Sequence, residues 1–188
     1  ENYDYYKTHK YYKKAHISLI PNRVNPFLCN THLIDDLRKD FNITTTDFII
    51  LKIGRIHKDY KRTILQGMML KRKLQIENPN FHIKLLILGS VQNHQIIEDL
   101  KDCPEFDNNI IFIGADKYIS NAKLIIDIAN CIIGTGRGFM EGCYRGKILF
   151  APIRHSELPI LVTRENFKYF LYYNFSERTL VPKESIEI

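Results

Sequence analysis

The chain is short of most features that would place it at a glance. Its apolar runs fall well below the roughly 20 residues of a membrane-spanning helix. No secretory signal opens it. Cysteine is scarce: Cys29, Cys103, Cys131 and Cys143 are widely spaced and form no C-x-x-C pair. A zinc site would need closer spacing, so the expectation is buried, reduced thiols in a cytosolic protein. No D-x-D motif, internal repeat or low-complexity segment is present. Methionine is absent until Met68, and the chain is expected to be a domain excised from a longer polypeptide.

What is there bounds the answer further. A length of 188 residues suits one domain, or one domain with an appendage. With 45% hydrophobic and 12% aromatic residues the chain can bury a core, which excludes disorder. The net charge of +6 and isoelectric point near 9.1 suit nucleic acid, an anionic membrane face or a phosphorylated small molecule. Only the arrangement of the charges can choose among these.

From Thr46 onward strands and helices alternate. Short β-branched and aromatic runs at 47–54, 81–89, 109–115 and 131–134 end at or beside Gly54, Gly89, Gly114 and Gly134. A fifth strand is expected at 147–152 and a sixth in "PILVT". Between them, Ile64, Leu65, Met68, Met69 and Ile76 have helical spacing, as do Ile119, Ala122, Ile126 and Ala129. "HQIIEDLKD", "GFMEGCYRG" and "RENFKYFLYYN" supply further helices. Strand–helix alternation with near-continuous apolar strands predicts a doubly wound α/β domain, Rossmann-like, with a parallel sheet covered on both faces. The domain is expected over 47–188, with 1–46 a connecting segment. The four strand-ending glycines should then share one sheet edge and line one cleft.

Within 1–46, "YDYYKTHKYYKKAH" interleaves five tyrosines with Lys7, Lys10, Lys13 and Lys14. Such a segment suits a solvated connecting helix, single-stranded nucleic acid or a membrane surface.

The strand ends carry the chemistry. Gly54 and Arg55 are followed by His57, Lys58, Lys61 and Arg62. An arginine fork beside a sharp turn, with a lysine a few residues on, suits phosphate oxygens. The same pattern is also what a solvated basic loop looks like. At "IIGTGRGFMEG", a strand, glycines and a helix start offer free backbone N–H groups to an anion. The glycines at 134, 136 and 138 spell G-x-G-x-G, which departs from the dinucleotide fingerprint. Glu141 fits two roles: a charge in the first turn of a helix, or an acceptor for two adjacent ribose hydroxyls. Phosphate at the glycines and Arg55, with ribose at Glu141, fits a nucleoside diphosphate.

At these residues the chain resembles the C-terminal, donor-binding domain of GT-B retaining glycosyltransferases of the group 1, family 4 type. The resemblance runs from "ISLIPNRVN" (17–25) through "IGRIHKDYK", "KLLILGS" and "IIFIGA" to "GTGRGFMEGCYRGKILFAP". It implies that Arg55 and Lys61, with Lys58 as a rival, hold the donor diphosphate and stabilise it as it leaves. Glu141 matches the second glutamate of that family's E-x7-E motif, which binds ribose. The backbone at Gly136–Phe139, with Arg137 and Gly138, would face the phosphates and sugar, and Gly54 would lie beside them. Three positions depart from the pattern: Ile133 stands at the first motif glutamate, Tyr60 five residues after the arginine where lysine is usual, and Arg23 at the glycine of the opening motif.

The resemblance implies a UDP- or GDP-sugar as substrate, with no cofactor and no metal. It implies a glycan or lipid-linked acceptor, and catalysis completed by an N-terminal domain outside this chain. Surface polysaccharide assembly in the cytoplasm, with peripheral contact at the inner membrane face, is the expected setting. Nucleic acid is not an expected partner. A non-catalytic nucleotide-binding module shares the fold and phosphate cluster, and stays open beside a nucleic-acid-binding protein.

Overall fold

The computed structural model describes residues 7–9, 16 and 23–182. Most of the tyrosine–lysine segment, and residues 17–22 of the opening motif, lie outside these. Among the described residues six strands form one sheet in the order β3-β2-β1-β4-β5-β6. The strands are β1 (Phe48–Ile53), β2 (Ile83–Leu88), β3 (Ile110–Ile113), β4 (Cys131–Ile133), β5 (Ile148–Ala151) and β6 (Ile160–Leu161). The first five run parallel, with β1 in register against β2 from Phe48↔Ile83 to Ile53↔Leu88.

Alternation along each strand divides the core in two. Ile49 and Leu51 face one layer with Leu86, Leu88, Ile132 and Leu149. Ile50 faces the other with Leu85, Ile87, Cys131 and Ile133. Helices α2 (Lys61–Glu77) and α3 (His94–Lys101) cover the second layer through Ile64, Met68, Ile96 and Leu100. The first layer is closed by α1 (Thr31–Asp40), a 3-10 helix at Ala122–Ile128, α5 (Gly136–Tyr144) and α6 (Phe167–Tyr172). Each fully buried Leu or Ile contributes about 1.5–3 kcal/mol. An exposed ion pair contributes roughly 0–1 kcal/mol. The apolar strands therefore carry the fold, and it is the doubly wound α/β arrangement that the alternation predicts.

Three details differ from the sequence expectation. The helix expected through 118–130 is two pieces, a single turn α4 (Asp116–Ile119) and the 3-10 helix. The sixth strand pairs antiparallel with β5. A parallel return needs a crossover of about a dozen residues or more, and the link between Ala151 and Ile160 is shorter than that. The packed unit also takes in residues before 47. Asn30 caps α1 by accepting from the Leu33 N–H, and Leu37 and Ile43 enter the core.

The sheet's carboxyl edge is tight. A Cβ on Gly89 would lie 1.9 Å from the Gly54 carbonyl oxygen, a backbone atom that cannot turn aside. At Gly67, inside α2, a Cβ would meet Leu85 and Ile133 at 3.5–3.6 Å, an ordinary contact. The two glycines should respond with opposite sign. Gly89→Ala is expected to destabilise by about 1–3 kcal/mol or more, the scale of overpacking. Gly67→Ala is expected to stabilise by up to about 1 kcal/mol, the helix cost of glycine. Chemical denaturation of both variants checks the pair.

Candidate functional site

Strand order reverses between β1 and β4, since connections leave β1 toward β2 and return to β4 on its other side. Open α/β sheets leave a crevice at such a reversal, beyond the carboxyl ends of the strands. A cavity of about 600 Å³ lies there. The end of β1 lines it with Lys52, Ile53, Gly54 and Arg55. The loop after β4 and the start of α5 line it with Gly134 to Gly138 and Glu141. Arg23 and Asn25 close one part, and Ile119, Ser120, Ala122 and Lys123 another. Gly54 and Gly134 thus meet at one cleft as expected, whereas Gly89 and Gly114 share the sheet edge without lining it.

The glycines of the β4–α5 turn have distinct reasons. Gly136 has φ 70°, a left-handed conformation that costs a side-chain-bearing residue roughly 1–2 kcal/mol. Nothing lies within 4 Å of where its Cβ would point, so its missing side chain keeps the cavity open. Gly138 is different: its Cβ would sit 3.0 Å from Ile53 Cβ, so glycine lets α5 seat against the end of β1. Thr135, at the N-cap, makes no side-chain capping bond. The first-turn N–H groups of α5, from residues that line the cavity, are left for an anion.

Arg55 is exposed and held by Tyr60, whose hydroxyl accepts from Nη2 at 2.8 Å. The Arg55 guanidinium also stands 5.3 Å from the Tyr60 ring centre. The residue at the position where lysine was expected thus orders the arginine. Glu141 is buried with its side chain only 12% exposed. Burial raises its carboxyl above the ordinary range, against the attraction of Arg137 and Lys123. Arg137 Nε is 3.7 Å from its Oε1, an ion-pair distance, and among the described residues the carboxylate accepts no hydrogen bond.

Two sequence expectations need correction, those for Glu141 and Lys61, and Phe139 is limited to its backbone. Helix α5 starts at Gly136, so Glu141 stands in its second turn and the helix-start reading of this residue falls. Phe139 is 2% exposed and packs on Phe175 with ring centres 5.3 Å apart, so its side chain belongs to the core and does not line the cavity. Lys61, the first residue of α2, reaches toward α3 and donates to Asp99 Oδ2 at 2.8 Å, outside the cavity lining. Exposed Lys58 in the preceding 3-10 turn is outside it too.

One cavity residue was not singled out from the sequence. Lys52 is 3% exposed, and its ammonium donates to the carbonyls of Gly54 and Arg55 at 3.2 and 3.1 Å. Burial draws its pKa down to about 8, opposed by Glu177. The available signal was a lysine inside an apolar strand, two residues before the terminating glycine.

No group of three or more His, Cys, Asp and Glu residues that could hold a metal occurs among the described residues, and no helix there is long and apolar enough to cross a membrane. No protein-family model matches the chain, and no curated protein matches it significantly. Solved structures share parts of it. The chain is similar to an Escherichia coli ADP-heptose LPS heptosyltransferase II at 14% identity and TM-score 0.49, over 69% of this chain and 40% of that one. It is similar to a Rickettsia africae glycosyltransferase at 19% identity and TM-score 0.48, over 64% and 32%. A Neisseria meningitidis UDP-GlcNAc 2-epimerase bound to UDP-GlcNAc matches at 16% identity and TM-score 0.45, over 68% and 34%. The matched region thus spans two-fifths or less of each of these proteins. At such scores none of them assigns a function to this chain.

The burial of Glu141 has a consequence for the ligand-free protein. A carboxyl whose folded pKa is raised costs stability when ionised, and the cost fades as the pH falls through that pKa. Glu141→Gln is therefore expected to be at least as stable as the parent at pH 7, with the difference shrinking on acidification. Denaturation at pH 7 and pH 4.5 checks the sign.

Proposed function

We propose that this chain is the nucleotide-sugar-binding half of a glycosyltransferase, transferring a hexose from a UDP- or GDP-sugar to a glycan or lipid-linked acceptor. The observation that carries the reading is Glu141, a buried carboxylate without a hydrogen-bond donor, facing the same cavity as the uncapped start of α5 and the fork of Arg55. Two vicinal ribose hydroxyls supply the donors that Glu141 lacks. A diphosphate supplies the anion that the helix start and Arg55 favour.

In this reading the work of the site is electrostatic. Arg55 and the α5 N–H groups neutralise charge that builds on the diphosphate as the glycosidic bond breaks. Lys61 joins them on release from Asp99, a half-exposed pair whose loss costs about 0–1 kcal/mol. Gly54, Gly136, Arg137 and Gly138 form the wall against phosphate and sugar, with Phe139 contributing backbone alone. The donor is a substrate, and the reaction calls for no cofactor. The acceptor site and any remaining catalytic group belong to an N-terminal domain, so this chain alone binds without turnover. A lipid-linked acceptor would place the work in the cytoplasm, at the inner membrane face.

Ligand-induced thermal shifts test the diphosphate. UDP or GDP at about 100 times its Kd should add roughly 2.7 kcal/mol of stability. Uridine and guanosine should do far less, and equal effects would sink the reading. Titration of parent and Glu141→Gln with the ribose and 2′-deoxy nucleotides tests the carboxylate. The expected loss is about 1.5–3 kcal/mol with the ribose form only, the scale of a hydrogen bond to a charged group. Equal losses with both forms would remove Glu141 from ribose recognition.

A further inference from the structure

Of the side chains that carry charge at neutral pH, the described residues bury four: Asp47, Lys52, Lys71 and Glu141. Two are paired within the fold. Asp47 accepts from Lys84 at 3.0 Å, and Lys71, 1% exposed, is salt-bridged to Asp107. The other two line the cavity. Glu141 has Arg137 at the edge of ion-pair range, and Lys52 has no carboxylate within that range among the described residues. Burying a charge without a counter-ion costs several kcal/mol, so proteins seldom do it without return. The carboxylate read as facing ribose and the uncompensated ammonium share one cleft.

We infer that Lys52 is a second phosphate-binding cation of this site, clamping the ligand's diphosphate together with Arg55. The inference rests on the reading above for the identity of the diphosphate, and on the following geometry for the residue. An ammonium has three donors, and the two carbonyls of Gly54 and Arg55 take two of them. That leaves one donor of the Lys52 ammonium, in a residue that lines the same cavity as Arg55. The Tyr60 ring centre lies 5.4 Å from Lys52 Nζ and 5.3 Å from Arg55 Cζ, which places both cations about one aromatic ring. Glu177, the opposing charge felt by Lys52, is already engaged by the Thr63 hydroxyl. Lys52 thus supplies a cation already seated beside Arg55, whereas Lys61 must first leave Asp99.

The charged and titratable groups around Lys52 are Arg55 and Tyr60 from its own loop and Glu177 from the C-terminal segment. Across the cavity stand Arg23, Lys123, Arg137 and Glu141. With Lys52 near pKa 8 when the cavity is empty, an anion that pairs with it raises that pKa. Binding should then take up protons between pH 8 and 9, and affinity should fall as the pH rises through this range.

Calorimetry of the full chain with UDP, and separately with inorganic pyrophosphate, in buffers of differing ionisation enthalpy reads both affinity and proton uptake. The parent should take up protons at pH 8.5 with either probe. Lys52→Met should weaken both by roughly 10- to 100-fold, the scale of a charge-assisted hydrogen bond, and abolish the uptake. Lys52→Arg, whose guanidinium does not titrate in this range, should bind without uptake. Lys101→Met, an exposed lysine at the far end of α3 and outside the cavity lining, should keep the uptake and bind within about threefold of the parent. Since the parent and Lys52→Arg are informative alone, a poorly folding Lys52→Met does not shelter the idea. Absence of uptake in the parent overturns it, as does Lys52→Met binding UDP like the parent, which would leave the nucleotide-sugar reading standing. Lys52-dependent pyrophosphate binding with UDP and GDP no tighter would uphold Lys52 and overturn that reading instead. Failure of the parent to bind either probe would overturn both.

Discussion

Two backbones meeting at the carboxyl edge of β1 set the geometry on which the site depends. Gly54 and Gly89 approach so closely that a single methyl group has no place between them, and Gly138 lets α5 rest against Ile53. Together these contacts fix where β1 ends, where its neighbour ends and where the helix after β4 begins. The crevice between β1 and β4 is what remains once those three ends are fixed. Its floor is strand, its anion-facing wall is helix start, and its basic rim is the loop that must turn away from β1.

Charge inside that crevice is arranged against the usual economy of burial. The fold elsewhere pairs its buried ions, as with Lys71 and Asp107, or hydrogen-bonds them closely. The half-buried Asp127 likewise accepts from Arg145, and its carboxyl is held below the ordinary range mainly by that bond. In the cavity, Lys52 and Glu141 are each desolvated and each short of a strong partner, and burial pushes both toward their neutral forms. A ligand carrying both an anionic group and hydroxyl donors would relieve the two at once. The same desolvation that costs stability in the empty protein strengthens each contact once such a ligand enters, because the local dielectric is low.

Much of the fold was legible because its strands are short, apolar and punctuated by glycine. Gly54, Gly89, Gly114 and Gly134 mark four strand ends, and helical spacing fills the gaps. Helix α1 has a cap at Asn30 and a short apolar face at Leu33, Ile34 and Leu37, but only Leu37 is fully buried, so its stripe is too narrow to stand out from the sequence. The stretch 118–130 has a helical stripe, yet Asn121 interrupts it and the chain takes a tighter 3-10 path. In the site, Arg55, the glycines and Glu141 could be read from residue type and spacing. Which way Lys61 and Phe139 project could not, since direction depends on where α2 and α5 begin, to within a residue. Lys52 was hidden by its surroundings: in an apolar strand, nothing in the pattern separates a lysine that reaches the surface from one that ends in a cavity.

The antiparallel β6 has an effect on how copies of this protein meet one another. An open sheet has two edges, and each presents unpaired backbone groups to any passing strand. Among the described residues one border is the four-residue β3 and the other the two-residue β6, which turns back along β5. The long apolar strands β1 and β2, the segments best able to recruit a foreign strand, are enclosed on both sides. Truncated borders of this kind leave a foreign strand little length to pair with, while the crevice above the sheet remains open.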